Sequence, residues 1–230
     1  MPLQMNHMQE ILELTMRHGW EDLRLMLSTG AFTGSRVGTI TTLSIQDLER
    51  AMPDPRCQGI HRIRVGPGTG VKTKFDVSGD ILVPDALLDA LKAHAYSVHR
   101  LKREAKALPE YKSRLFLTAR GRPYTPATVD RLMVDLRRAG DIERMRFLQN
   151  FKFHQTRATF GTWLMELCLA VTTPNAAITF CKEAMLHKHE SDTFRYIKFI
   201  NKSKGKMKMS ERFSKAFTGI SNRNWDDFDA

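Results

Sequence analysis

One stretch of this chain departs from the rhythm of the rest. Between Ile60 and Pro84 apolar and polar residues alternate with a period of two, whereas the flanking segments place apolar residues three and four apart. The first pattern belongs to strands with one buried face, the second to helices with a buried stripe. Ile60, Arg62 and Arg64 alternate with His61, Ile63 and Val65, which predicts a strand. Gly66-Pro67-Gly68-Thr69-Gly70 is a turn cluster, Val71 to Val77 reads as a second strand, Ser78-Gly79-Asp80 as a turn and Ile81 to Val83 as a third strand. The expected fold class is therefore mixed α+β: mainly α-helical, with one small antiparallel β-sheet.

The helical segments can be placed by their punctuation. Met8, Ile11, Leu12 and Met16 give a first helix that Gly19 ends, and Trp20 to Leu27 gives a second. Residues 29–38 read as a turn followed by a helix start. Pro84-Asp85 opens a long helix reaching about Ala107. Thr125-Pro126 is a strong start, with Thr125 as cap, for a helix that Gly140 ends. A further helix begins at His154, with Phe160, Trp163, Leu164 and Leu167 as its core face; Thr173-Pro174 starts another, and Ser191 or Asp192 the last. No repeat or linker divides the chain, so residues 1–200 are expected to form a single globular domain and residues 201–230 a basic C-terminal tail.

Charge narrows the partner. A formal charge of +11 and a pI near 9.8 favour a polyanion, nucleic acid before an anionic membrane surface. No apolar run is long enough to span a bilayer, and the N-terminus lacks a basic-then-apolar signal pattern. The three cysteines, Cys57, Cys168 and Cys181, form no CxxC pair, so neither a disulfide framework nor a zinc site is suggested and a reducing cytoplasm fits best. Carboxylates are scattered rather than clustered, so no metal or other cofactor is expected.

The chemistry-bearing residues lie between His154 and Tyr196. His154 and Arg157, three apart at a helix start, share one helical face. His187 is followed nine residues later by Tyr196, in a segment reading LHKHESDTFRY. Two histidines, an arginine and a tyrosine form a kit for phosphoryl chemistry: cations hold a phosphate, an imidazole moves a proton and a phenol attacks. Guanidinium groups suit the cationic part, because they donate parallel hydrogen bonds to phosphate oxygens.

In these residues the chain resembles the tyrosine recombinases of the phage-integrase type, over about Trp20 to Phe199. The family carries an early arginine in a Thr-Gly-x-Arg box, a hairpin lysine, His-x-x-Arg, a later His or Trp, and a tyrosine nucleophile. Here these positions are matched by Arg36, Lys72, His154 with Arg157, His187 and Tyr196. The resemblance implies the DNA breaking-rejoining catalytic fold and site-specific recombination through a covalent 3′-phosphotyrosine, with double-stranded DNA as partner and a tetramer on two sites as the assembly. It pairs Arg36 with Arg157 as the cations that hold the phosphate, and also implies that Lys72, with Lys74 as runner-up, protonates the departing 5′ oxygen. Lys74, Arg122 and Lys152 are candidate DNA contacts. The acidic residue often found three positions after the first arginine is Thr39 here, and the glycine of the Leu-Gly-His triplet is Leu186. Nothing resembles the family's N-terminal DNA-clamping domain, so a catalytic fragment or a short form is expected. The alternatives are a type IB topoisomerase-like enzyme and a non-catalytic basic DNA-binding module descended from an integrase.

Overall fold

The computed structural model describes residues 2–201, so the expected basic tail lies outside the described residues beyond Asn201. Helices α1 (Met5–Arg17) and α2 (Glu21–Thr33) pair at the start of the chain and lead through the short helices α3 (Val37–Ile40) and α4 (Ile45–Glu49) into the sheet. Strands β1 (Met52–Pro53), β2 (Ile60–Val65) and β3 (Gly79–Pro84) are antiparallel in the order β1-β2-β3, with Ile63 opposite Ile81 and Val65 opposite Gly79. Helices α5 (Asp85–Ala95), α6 (Val98–Glu104), α7 (Pro126–Ile142), α8 (His154–Val171) and α9 (Pro174–Ala184) follow, and residues 190–201 form a last helix, α10. The mainly helical architecture with a small antiparallel sheet is as the hydrophobic periodicity predicts. Alternation in the sheet works as expected: Ile63, Val65, Ile81 and Val83 are buried while Arg64 is exposed.

Several boundaries differ from the sequence reading, each for a physical reason. The expected strand from Val71 to Val77 is instead a loop: Phe75 and Asp76 adopt positive φ (63° and 51°), which no strand accommodates. The Thr73 hydroxyl donates to the Val77 carbonyl at 2.7 Å and closes this loop at its neck. The lysines Lys72 and Lys74 therefore sit on the connection between β2 and β3, not on a strand. The third strand of the sheet comes instead from Met52–Pro53.

Helix α2 does not stop before Gly30 but runs through it to Thr33, and Gly34, at φ 67°, caps it in the left-handed conformation. Gly30 is there for close approach: a Cβ at this position would sit 2.4 Å from Thr156 Oγ1 on α8. The expected long helix is broken between Tyr96 and Ser97, where Ser97 caps α6 by accepting from the Arg100 amide. Fully buried Arg100 donates to the carbonyls of Ala95, Lys112, Arg114 and Leu115, which locks the break in place. Gly140 does not end α7; the helix continues to Ile142, and Gly140 instead makes room for Leu148.

The buried face of α8 also differs from the expected one. Thr156, Thr159, Gly161, Thr162 and Met165 face inward, whereas Leu167 is 68% exposed. Small residues let the backbones of α2 and α8 approach closely, and threonine hydroxyls satisfy themselves on carbonyls of their own helix, as Thr156 does on Phe153. This tight contact sets where the first residues of α8 stand relative to the end of α2. Gly30→Val is expected to destabilise the protein by about 1–3 kcal/mol through overpacking. Gly38→Ala, at a position with open space around it, is expected to cost nothing comparable; thermal unfolding of the two variants checks the contrast.

Candidate active site

Arg36 lies just beyond the Gly34 cap, with extended backbone, as the N-cap of α3. A cation at a helix N-terminus is opposed by the helix dipole. Burial lowers its pKa, and the Asp192 carboxylate and the Tyr196 phenol act against that. Asp192 therefore compensates a charge that the local backbone disfavours.

Arg157, on the first turn of α8, reaches in two directions. Its Nη1 donates to the Gly34 carbonyl at 2.5 Å and its Nη2 to the Met185 carbonyl at 2.6 Å. These carbonyls end α2 and α9, so one guanidinium joins the ends of two helices that are far apart in the chain. Each charged hydrogen bond of this kind contributes roughly 1.5–3 kcal/mol. Arginine has five N–H donors, so donors remain for a ligand. Burial, then the nearby Arg36, pull its pKa down to about 10, which leaves it cationic at neutral pH.

His187 follows α9 directly and is only 7% exposed. Leu186 before it has φ 52°, the left-handed conformation in which glycine costs nothing. Its side chain occupies the space a Cβ on Gly79 would fill, so the bulkier residue at 186 is matched by a missing one in β3. His187 Nδ1 lies 2.8 Å from the Thr193 hydroxyl. Burial, then Arg157 and Arg36, push its pKa down to about 4, so the ring is neutral at pH 7.

Tyr196 stacks on His187, with ring centroids 6.1 Å apart and planes within 6°. Its Cζ lies where a Cβ on Gly161 would come within 2.5 Å, so the glycine of α8 admits the phenol. Burial raises the Tyr196 pKa, while Arg157, Arg195 and Arg36 pull it back.

Arg36, His154, Arg157, His187 and Tyr196 all line a single open cleft of about 760 Å³. Lys74 lines it too, from the β2–β3 loop. Lys72 does not; its side chain is exposed, and its backbone amide is tied to Thr42 Oγ1 at 3.0 Å. Lys152 is exposed just ahead of α8 and is not part of the cleft wall. Arg122 lies on a different concavity with Lys106 and Arg120. Among the described residues, no three His, Cys, Asp or Glu side chains are grouped to hold a metal ion, and no helix is long and apolar enough to cross a membrane.

The sequence reading passed over Phe75, Lys188, Asp192 and Arg195, which also line the cleft, and Thr193, which bonds His187. Asp192 and Thr193 carry a usable signal: they stand four and three residues before Tyr196, the spacing that places side chains on one helical face. Asp192 pairs with Arg195 at 2.7 Å and acts electrostatically on Arg36, Arg157 and His187.

The lowered pKa of His187 has a measurable consequence. The folded state holds this imidazole neutral, so between the ordinary value of 6.5 and about 4 the unfolded chain binds more protons than the folded one. Stability contributed by neutral His187 is present above 6.5 and is lost as pH falls through that window. His187→Gln is expected to flatten this part of the curve of melting temperature against pH.

No family model matches the sequence, and no curated protein matches it. Solved structures do match in fold. The chain is similar to XerA recombinase (20% identity, TM-score 0.57, covering 85% of this chain and 59% of that one). It is similar to the XerH site-specific recombinase bound to its palindromic difH substrate in a post-cleavage complex (19% identity, TM-score 0.58, 86% and 49%). It is also similar to the Tn1549 transposon integrase in complex with transposon right end DNA (17% identity, TM-score 0.57, 85% and 61%). The chain thus spans between 49% and 61% of the length of these structures. At such identities the likeness is one of fold, and the fold of this chain is that of the tyrosine recombinase catalytic domain.

Proposed function

We propose that this chain is the catalytic domain of a site-specific DNA recombinase that cleaves and rejoins double-stranded DNA through Tyr196. The observation that carries this reading is the convergence of Arg36, His154, Arg157, His187 and Tyr196, drawn from four separate segments, on one cleft. A DNA phosphodiester resists attack because its charge repels a nucleophile and grows at the transition state. Fixed cations aimed at the non-bridging oxygens lower that cost.

Arg36 and Arg157 hold the non-bridging oxygens. Neutral His187, accepting from the Thr193 hydroxyl at Nδ1, presents an Nε2–H donor to the same phosphate. The Tyr196 oxygen attacks phosphorus and its proton passes to His154. The phosphorus–O5′ bond breaks, and the departing oxygen takes a proton from a lysine. We assign that role to Lys74 rather than Lys72, since Lys74 lines the cleft. The products are a 3′-phosphotyrosine and a free 5′ hydroxyl. The ester bond is exchanged rather than hydrolysed, so religation needs no ATP. Recombination requires two duplexes held together, and we expect a tetramer of this chain, or of a longer one containing it, on two sites.

The test is trapping on nicked duplexes with a randomised core, where loss of a short 5′-hydroxyl fragment blocks religation. Wild-type protein is expected to form a denaturation-resistant adduct, and Tyr196→Phe to bind DNA without forming it. An adduct that persists in Tyr196→Phe would assign the nucleophile elsewhere. Duplex affinity is expected to fall linearly in a plot of log K against log salt, as phosphate contacts release counterions; a flat plot would contradict a DNA partner.

A further inference from the structure

Resting on the reading of this cleft as a DNA site, we infer that Phe75 is a base-stacking wedge that enters the duplex beside the scissile phosphate. Phe75 is a large apolar residue that is 63% exposed on the wall of a cationic cleft. An exposed phenylalanine on its own needs no explanation. This one also has φ 63°, a strained conformation rare for a bulky residue. Such strain persists only where the surroundings enforce it.

The surroundings do enforce it. Thr73 closes the loop neck on the Val77 carbonyl at 2.7 Å, and the Lys72 amide is tied to Thr42 Oγ1 at 3.0 Å. Asp76 follows Phe75 in the left-handed region, at φ 51°. Two consecutive residues in this conformation make a sharp tip on a pinned base, and Phe75 stands at that tip. A tip built this way holds an aromatic ring out toward the cleft when burial would otherwise take it in.

Two cations from different segments stand near the ring. Lys74 Nζ is 4.7 Å from its centroid and Lys188 Nζ is 5.9 Å. Ammonium groups near an aromatic face interact favourably with it while free of a ligand. When a duplex enters, the ammoniums find phosphates, and the apolar ring is left facing the one apolar feature of DNA, the stacked bases. Minor-groove binders use phenylalanine in this way, partly unstacking a base step and kinking the duplex. Unstacking beside the scissile phosphate would loosen the backbone at the bond that Tyr196 attacks. The class of ligand is thus a base step of duplex DNA, contacted on its face rather than its hydrogen-bonding edges.

The test uses the full-length chain and a mixed-sequence 30-bp duplex titrated across a range of salt. An aromatic–base stack contributes about 1–3 kcal/mol, so Phe75→Ala is expected to weaken binding about 5-fold or more at every salt concentration. Its log K–log salt slope stays unchanged, because the ring carries no charge. Lys74→Met is expected to do the reverse, reducing the slope by about one phosphate contact. Phe75→Trp keeps a ring; it is expected to retain affinity, with the added indole emission quenched by duplex after subtraction of the wild-type titration. Unchanged affinity in Phe75→Ala would overturn the inference, and so would an unquenched indole. A slope reduced as in Lys74→Met would overturn it too, by showing the ring to be a support for Lys74. If the wild-type protein shows no salt-dependent binding to duplex, the DNA reading itself fails. That outcome is distinct from wild-type binding that Phe75→Ala leaves intact.

Discussion

The Arg157 guanidinium, shared between the carbonyls of Gly34 and Met185, is the interaction on which the arrangement of this cleft depends. It stands where the end of α2, the start of α8 and the end of α9 meet. Arg36 follows the first of these carbonyls by two residues, and His187 follows the second by two. One side chain therefore sets the separation of the other polar groups that line the cleft. A fixed guanidinium also loses little freedom when a ligand arrives, which is how preorganised charge is made effective. Its depressed pKa has other causes: the group is desolvated and stands beside a second guanidinium.

This geometry is reached through packing that carries no chemistry. Gly30 against Thr156 brings α2 and α8 within backbone contact, and Gly161 against Tyr196 admits the phenol to the cleft wall. Leu186 seated over Gly79 ties the turn before His187 to the sheet that carries the Lys74 loop. The small residues of α8 do more for the site than a stripe of large apolar ones would, because they fix distances between backbones. Asp192, one helical turn before Tyr196, then balances the cluster of like charges. Because Asp192 stands on α10, its charge balance on Arg36 depends on that helix being docked.

The polar residues of the site were legible in the sequence where they carried a spacing, and less so where they depended on folded distance. The shared face of His154 and Arg157 could be read from helical geometry, and the pairing of His187 with Tyr196 from the interval that the family resemblance implies. The sheet was legible because alternation is local. The loop bearing Lys74 was not: Val71 to Val77 alternates well enough to pass for a strand, and it is bent into a tip by a bond inside the loop at Thr73 and a tertiary one at Lys72. Lys74 therefore lines the cleft and Lys72 does not, a difference that alternation along the segment does not carry. Gly30 and Gly140 misled for one reason: each reads as a helix breaker, yet each is retained inside a helix because a partner side chain occupies its missing Cβ. Asp192 lies far along the chain from Arg36, so its electrostatic effect on that guanidinium is a product of folded distance and leaves no local signal beside Arg36.

The most direct measurement is a structure of Tyr196→Phe bound to a cleavable duplex recovered by adduct trapping. The expected result is one backbone phosphate within hydrogen-bonding distance of Arg36, Arg157 and His187 Nε2, with residue 196 in line with its O5′. A duplex seated elsewhere on the surface, or a phosphate touching only one of those three side chains, would contradict the convergence from which the chemistry was built.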